Sequence, residues 1–305
     1  MRWLAAAALV GACGGGSAAP PHPDSPIGSG SDAAGSADAG STWSTLISRS
    51  WMLQGTGGAA YAERWECIRT KVTSDVYISG FRELAPAGTD ELTVTVTAND
   101  TGLSNGSYDC SAAAVDTTMV YAAGLGTDDL EFPDGMAVHL TAGQYINLNI
   151  HLYQTGMQAL SATSGVLVET VPAASVSHEL DMFYAGTRQI TLPSQGGPQY
   201  ASGGCAATAA YNVIALWPHM RALGTHQKLA AGSQTLLDAD FTPTAQTIHP
   251  IAPTQIANST SLLTTCTYVN TTGTTVGEGD SATQEACFTG IYEYPSGNTI
   301  FSCVN

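Results

Sequence analysis

Short runs of alternating apolar and polar residues, broken by Gly, Pro, Asn and Asp, fill the chain from Tyr61 onward. In Glu91–Val96 every second residue is Leu or Val, and in Tyr145–Tyr153 every second residue is Ile or Leu. A period of two is typical of a strand that buries one face. The pattern therefore predicts an all-β chain that packs as β-sandwiches, with the polar face of the second run, which includes His151, turned away from that core.

The strand series divides near Pro172. Val166–Val171 is predicted to close a first domain over residues 43–172, and the segment Pro172–Ser175 is predicted as its boundary with a second domain over residues 173–305. The strands predicted for that second domain are Arg188–Leu192, Ala209–Leu216, Gln227–Ala231, Thr264–Val269 and Cys287–Tyr294.

The N-terminus has the order of a short export signal, with one Arg, an apolar run and small residues that end on Cys13. We expect residues 1–12 to be a signal peptide and Cys13 to be lipidated, with a plain secretory signal as the alternative. Residues 13–42 are almost wholly Gly, Ala, Ser, Pro and Asp, which predicts a disordered tether. The expected location is the cell envelope. Because Gly14 is not acidic, the outer membrane or the cell surface is favoured.

The formal net charge of -16 argues against a nucleic-acid partner and leaves the lipid anchor as the expected link to a membrane. Seven cysteines minus Cys13 leave an even set, which in an exported chain predicts three disulfides. Pairing within domains would join Cys67 to Cys110, and the other four allow three connectivities. These four are Cys205, Cys266, Cys287 and Cys303.

Four segments in order carry a family resemblance. They are Trp65–Val96, Ala142–Gly156, Ala215–Leu229 and Tyr268–Pro295. Together they resemble the copper type II, ascorbate-dependent monooxygenases, the family of peptidylglycine alpha-hydroxylating monooxygenase and dopamine beta-hydroxylase. The resemblance implies two tandem jelly-roll-like β-sandwich domains, each with one copper, separated by a cleft. It also implies the disulfides Cys67–Cys110, Cys205–Cys303 and Cys266–Cys287.

The same resemblance implies six copper ligands, of which this chain keeps only His151 and His219. Where the family has a His-His pair, this chain has Asp90 and Glu91. Arg221 replaces the second histidine of a His-x-His pair, and Ala286 replaces a methionine. A guanidinium offers no lone pair, and at ~4 Å it would repel a doubly charged ion by roughly 8 kcal/mol at an effective dielectric of ~20.

The replaced ligands predict a degenerate member of the family, a pseudoenzyme that acts as a binding or structural lipoprotein. Its expected ligand is a small molecule or a protein in the interdomain cleft. The alternative is an active monooxygenase that uses copper and ascorbate to hydroxylate an aliphatic carbon, with His219, His226 and an unforeseen ligand or a partner subunit restoring the copper site.

A second alternative is a non-copper metal site at His151 and Asp90 for Zn, Mn or Fe. We favour a plainer interpretation for these residues, with Asp90 and Glu91 as solvated acids on a strand edge and His151 as a hydrogen-bonded residue of a polar face. On a regular strand Asp90 and Glu91 would point to opposite faces, so both could reach His151 only if the backbone bulges.

Overall fold

A computed structural model describes residues 42–194, 196–297 and 302–305. The expected signal peptide, the lipidation site Cys13 and the tether up to Ser41 lie outside the described residues. Within the described ranges, no helix has the length and apolar character needed to span a membrane. The fold is all-β, as the alternating pattern predicts.

Ten strands lie among the described residues 42–171. They are β1 (Ser44–Leu53), β2 (Ala62–Lys71), β3 (Val76–Leu84), β4 (Thr89–Thr97), β5 (Gly106–Cys110), β6 (Thr118–Gly124), β7 (Leu130–Glu131), β8 (Met136–Leu140), β9 (Tyr145–Gln154) and β10 (Leu160–Thr170).

A single 3₁₀ turn, Ala173–Ser175, separates these strands from the rest of those described. The later strands are β11 (His178–Gly186), β12 (Thr191–Leu192), β13 (Pro198–Gly203), β14 (Tyr211–His219), β15 (Gly224–Ala231), β16 (Gln234–Asp240), β17 (His249–Ile256), β18 (Leu262–Val269), β19 (Val276–Gly277), β20 (Phe288–Tyr294) and β21 (Ser302–Val304).

The first half of the fold has two layers. One layer has the order β1-β10-β3-β8, and the other has the order β5-β2-β9-β4-β6. Their facing side chains form one apolar cluster, to which β4 contributes Leu92, Val94 and Val96 and β10 contributes Val166 and Val168. Burial of each such side chain stabilises the fold by about 1.5–3 kcal/mol before entropy is counted. The apolar faces predicted for β4 and β9 are buried in this cluster, and the polar face of β9 is largely buried as well.

The second half packs a sheet of order β13-β18-β15-β16 against β11, β14 and β20. Phe183 of β11, Leu216 of β14 and Ile291 of β20 meet Leu229 of β15 and Leu262 of β18 in a second apolar cluster. Most strands predicted for this half exist with shifted ends. The predicted strand Arg188–Leu192 is wrong for its first three residues, since only Thr191 and Leu192 pair, with the short strand β19.

Strand β11 connects the sheets. Its first residues, His178–Leu180, pair in parallel with β8. Met182 then pairs with Met119 of β6, and Asp181–Gly186 pairs with β20. Residues Thr42–Asn305 form one compact unit. The domain boundary at Pro172 stays a prediction, and β11 is the element through which any two such domains would be joined.

Three disulfides join Cys67 to Cys110, Cys205 to Cys303 and Cys266 to Cys287. These are the pairs that the family resemblance implies. The first ties β5 to β2, and the second ties the end of the chain to the loop after β13. The third joins β18 to the residue just before β20, close to the site described next.

Candidate functional site

A β-bulge in β4 brings two carboxylates to one histidine. In the pairing with β9, Thr89 lies opposite Leu152 and Glu91 lies opposite His151, so Asp90 is an extra residue in β4. The bulge removes the strict alternation that would have separated neighbouring side chains. As a result, Asp90, Glu91 and His151 each place a potential ligand atom within 4.8 Å of the others.

His151 is fully buried and lies between two acids. Its ring stacks on Trp65 at a centroid distance of 4.0 Å. Nε2 lies 2.8 Å from Glu63 Oε1, and Nδ1 lies 3.0 Å from Asp90 Oδ2. The second contact is an ion contact without the alignment of a hydrogen bond, and Nδ1 has no hydrogen-bond partner.

Burial alone would lower the pKa of His151. The contacts with Asp90 and Glu63 and the nearby charge of Glu91 outweigh burial and raise this pKa to about 9. The histidine therefore carries a positive charge at neutral pH. The same contact with His151, together with hydrogen bonds from Ala282 and Ser281, lowers the pKa of Glu63 although burial opposes this.

Glu91 binds two residues from the second half of the chain. Its Oε1 accepts from Arg221 Nε at 2.9 Å and lies 2.9 Å from Arg221 Nη2 and 3.1 Å from His219 Nε2. His219 in turn donates from Nδ1 to Gln246 Oε1 at 3.0 Å. Burial would raise the pKa of Glu91, but Arg221 and His219 hold it well below its usual value.

The expectation that Asp90 and Glu91 are solvated acids on a strand edge is wrong. Strand β4 lies between β6 and β9, so it has no free edge. The side chains of Asp90 and Glu91 are only 16% and 15% exposed, respectively. His151 does belong to the polar face of β9, as predicted, but residues from outside its own sheet cover that face, so it is buried and not open to solvent.

The loop of residues 278–285, here called the cleft loop, closes over this cluster. Arg221 donates from Nη1 to the carbonyls of Gly279 and, at 2.8 Å, of Ser281. Glu63 accepts from the Ala282 amide at 2.7 Å and from Ser281 Oγ at 2.8 Å. The buried carboxylate of Glu285 accepts from the amides of Arg221 and Leu223.

The contacts of the cleft loop affect the pKa values of Arg221 and Glu285. Burial opposes the charge of Arg221, but Glu91, Asp90 and Glu285 raise its pKa above the usual value. Burial raises the pKa of Glu285, although three backbone amides and Arg221 act in the opposite direction. The cleft loop is thus held by one permanent cation and two carboxylates.

A cavity of about 230 Å³ lies next to this cluster. Both halves of the chain line it. Its residues include Trp65, Glu91, Ala113, Val115, Met119, Asn149, Tyr184, Arg188, His219, Arg221, Asp280, Ala286, Phe288 and Val304. Asn149 is 2% exposed, and its Nδ2 donates to the carbonyl of Ser111 at 2.9 Å. Its Oδ1 has no hydrogen-bond partner and is closed off from solvent.

The structure brings together five of the six positions that the resemblance assigns to copper. Asp90, Glu91, His151, His219 and Arg221 form one connected network, whereas Ala286 lines the adjacent cavity. Ala286 is buried, and its carbonyl accepts from Tyr268 Oη at 2.7 Å.

His226, the residue named for an alternative copper site, lies on β15. Its Nε2 is 3.0 Å from Asp238, and the side chain is 33% exposed. Among the residues lining the described cavity, His219 is present and His226 is not.

Sequence reasoning did not identify three residues of this network as site residues, namely Glu63, Gln246 and Glu285. It also missed Asn149, which lines the adjacent cavity. Glu285 and Asn149 lie inside the segments that carry the resemblance, but no ligand spacing marks them. Glu63 lies two residues before Trp65 on β2, opposite Tyr153, which only the strand register places beside His151. Gln246 lies in a loop, and no local pattern distinguishes it.

No family model matches this chain, and no curated protein matches it either.

Proposed function

We propose that the folded part of this chain is a non-catalytic binding protein in which an internal charge network stands at the positions of the family's copper ligands. The observation that carries the proposal is the placement of Arg221. Its side chain is 9% exposed, and its guanidinium lies 2.9 Å from Glu91, among the residues at the family's ligand positions. A permanently charged side chain in this place repels a metal ion and supplies no ligand atom.

The other side chains fit copper no better. Copper sites of this kind use imidazole and thioether ligands. Here Ala286 offers no sulfur, and His219 is in contact with Glu91 and Gln246 through its two nitrogens. Both nitrogens of His151 lie within 3.0 Å of carboxylates. We therefore derive no oxygen chemistry for this chain.

The cavity beside the network supports a binding role. Small-molecule sites are concave, mostly apolar, and carry a few polar groups that orient the ligand. Met119, Val115 and Phe288 supply apolar surface, and Arg188 and Asp280 supply charged groups.

Metal content tests the loss of copper chemistry. The purified full-length protein is loaded with copper, desalted and examined by elemental analysis and by electron paramagnetic resonance. The expected result is no retained copper and no tetragonal Cu(II) signal. About two tightly held coppers per chain, or ascorbate-dependent hydroxylation of any substrate that His219→Ala abolishes, would overturn the proposal in favour of an active monooxygenase.

Ligand binding in the cavity is tested separately. A collection of small molecules with apolar bodies is screened against the full chain by thermal shift, and hits are repeated on Ala113→Trp, which fills the cavity. Hits that stabilise the unchanged protein but not this variant support the proposal. Hits that stabilise both proteins equally well place the ligand elsewhere.

One observation favours a second candidate, a site for a harder metal at Asp90, Glu91 and His151. The bulge directs both carboxylates to His151, whose Nδ1 has no hydrogen-bond partner, while Nε2 is held by Glu63 as metal-bound histidines often are. Arg221 opposes this candidate because it already neutralises Glu91.

Elemental analysis after loading with Zn²⁺ or Mn²⁺ decides the second candidate. Asp90→Ala should lower the bound metal if the site exists, whereas Asp134→Ala, which changes an exposed acid elsewhere, should not. Equal metal content in the unchanged protein and the Asp90 variant would exclude it.

A further inference from the structure

The loop between β4 and β5 holds a pair of residues that the proposed function does not use. Asn105 is followed by Gly106, and no other asparagine in the sequence is followed by glycine. Both residues are exposed, and Asn105 is the last residue before β5. Gly106 has a φ of +77°, and no heavy atom lies within 4 Å of the position that a Cβ would occupy there. The main chain at this point is therefore open to water, and the following residue has no side chain to shield it.

An asparagine that precedes a glycine can react with its own main chain. The amide nitrogen of the next residue can attack the side-chain carbonyl carbon, Cγ, because the new bond closes a small, unstrained ring. A Cβ on that next residue crowds the approach, whereas glycine lacks a Cβ and reaches more backbone conformations. Asn105 is thus the asparagine of this chain at which the following residue hinders this reaction least.

A buried cation contacts the carbonyl that would be attacked. Arg69 is 0% exposed, and its Nη1 donates to Asn105 Oδ1 at 3.2 Å. The same guanidinium is fixed by Asp116, to which Nε donates at 3.1 Å and Nη2 at 3.3 Å. A charged donor at Oδ1 draws electrons away from Cγ and stabilises the negative charge that develops on this oxygen during attack. The position of Arg69 therefore favours attack at Cγ of Asn105.

We propose that Asn105 is a site of spontaneous modification, at which the side-chain amide is converted to a carboxylate. The nitrogen of Gly106 forms a bond to Cγ and gives up its proton, while Nδ2 of Asn105 takes up a proton and leaves as ammonia. Water then adds to either carbonyl of the cyclic imide and opens it, which gives aspartate or isoaspartate. Water is the only co-reactant, and nothing is oxidised or reduced. The proposal does not depend on the binding function proposed above.

Both products place a new negative charge beside Arg69, and isoaspartate also alters the main chain. In isoaspartate the chain continues through the side-chain carbon, so the main chain gains one methylene just before β5. Gly106 lies opposite Arg69 in the pairing of β5 with β2, and Cys110 at the other end of β5 is bonded to Cys67. The modification is therefore expected to loosen the start of β5 and to leave the disulfide in place.

Peptide mapping of the full-length protein after incubation in mildly alkaline buffer tests the site. Asn258 is the internal control, because it is exposed and the next residue, Ser259, has a φ of +66° but carries a side chain. Conversion should be at least about tenfold faster at Asn105 than at Asn258, a ratio that a barrier difference of about 1.4 kcal/mol produces. Equal rates at the two asparagines would overturn the proposal.

Gly106→Ala tests the effect of the missing side chain. The new Cβ would crowd the attack, so the rate at Asn105 should fall to about the rate at Asn258. Gly102→Ala is the matched control, because Gly102 lies in the same loop, has a φ of +82° and also has open space around it. This second variant should leave the rate unchanged. Equal rates at Asn105 in the two variants would contradict attack by the nitrogen of Gly106.

A comparison with the unfolded chain tests the contact with Arg69. Replacing Arg69 would leave the buried carboxylate of Asp116 without its partner and would destabilise the fold. The rate is therefore measured in the unchanged protein with and without urea, which removes the contact between Arg69 and Asn105. Conversion should be faster in the folded protein. Slower conversion there would show that the fold protects Asn105, and the assignment of a modification site would be wrong.

Discussion

Arg221 and Glu91 form an ion pair inside the fold. Either charge would be unfavourable in this largely buried place without the other. Replacing Arg221 with Met leaves the Glu91 carboxylate, which is 15% exposed, with His219 as its remaining ion-pair partner and the charged His151 nearby. Breaking a buried pair costs about 3–5 kcal/mol, and the remaining exposure of Glu91 argues for the lower end of that range.

The prediction for this pair is a non-additive double-mutant cycle. Arg221→Met should lower the free energy of unfolding by about 3 kcal/mol, and the double variant Glu91→Met/Arg221→Met should lose less than the sum of the two single changes. Urea denaturation measures each value. Arg188→Met, which breaks an exposed pair with Glu278, should cost less than about 1 kcal/mol. Additive losses would show that the pair is not coupled.

His151 makes stability depend on pH. Its pKa is about 9 in the folded protein, against about 6.5 for an unfolded histidine. The folded state therefore binds the proton more tightly. Stabilisation from this proton is complete below about pH 6.5 and is lost as the pH rises through about 9. The groups that face His151 are Asp90, Glu63 and Glu91, and their negative charges cause the shift.

Two measurements check the raised pKa of His151 and its effect on stability. The ring protons of His151 should titrate near pH 9 in NMR spectra, and the unchanged protein should lose on the order of 3 kcal/mol more stability between pH 6 and pH 10 than His151→Gln does. If both proteins lose the same stability over this range, the histidine is neutral in the fold.

At the scale of elements, β4 shows where alternation predicts structure and where it fails. Leu92, Val94 and Val96 alternate in sequence and are buried in the structure. The bulge at Asp90 has no comparable signal, because it depends on how β4 pairs with β9. The alternation thus predicted the strand, while the convergence of Asp90 and Glu91 on His151 required the register.

Gly88 shapes the turn that leads into the bulge. Its φ is +98°, and an added Cβ would lie 2.9 Å from the ring of Trp51. Gly88→Ala therefore combines backbone strain with a clash in the core. Gly143 has a similar φ of +89° but open space around it, so Gly143→Ala carries the backbone strain alone.

The two glycines predict a larger loss of stability at Gly88. Gly143→Ala should lower the free energy of unfolding by about 1 kcal/mol, and Gly88→Ala should lower it by at least about 1 kcal/mol more. Thermal and urea unfolding of the two variants measures the difference. Equal losses would mean that Trp51 moves aside without cost.

At the scale of the whole molecule, the disulfides differ in the length of chain they close. Cys205–Cys303 spans 98 residues, and Cys266–Cys287 spans 21. In the chain-entropy account, a bond that closes a longer segment restricts the unfolded chain more. The first bond should therefore contribute about 4–5 kcal/mol and the second about 3 kcal/mol.

Double Cys→Ala variants of each pair test this order by urea denaturation without reductant. The variant lacking Cys205–Cys303 should be the less stable of the two. The reverse order would show that local packing around Cys266 and Cys287, both fully buried, outweighs the constraint on the unfolded chain.

The site as a whole exceeds what one sequence can predict. Resemblance and residue chemistry singled out His151 in the segment Ala142–Gly156, and His219 and Arg221 in the segment Ala215–Leu229. That Glu91 joins the last two, 130 residues away from Arg221, follows from the packing of the two halves. Glu63 and Gln246 join the network for the same reason, and no sequence pattern near either residue predicts this.

Strand β11 also sets the order in which the protein can be completed during synthesis. Its residues His178–Leu180 cover β8, and Met182 meets β6. Until the ribosome has made residues 178–186, these two strands present unpaired backbone to the surroundings, and bare strand edges pair readily with other chains.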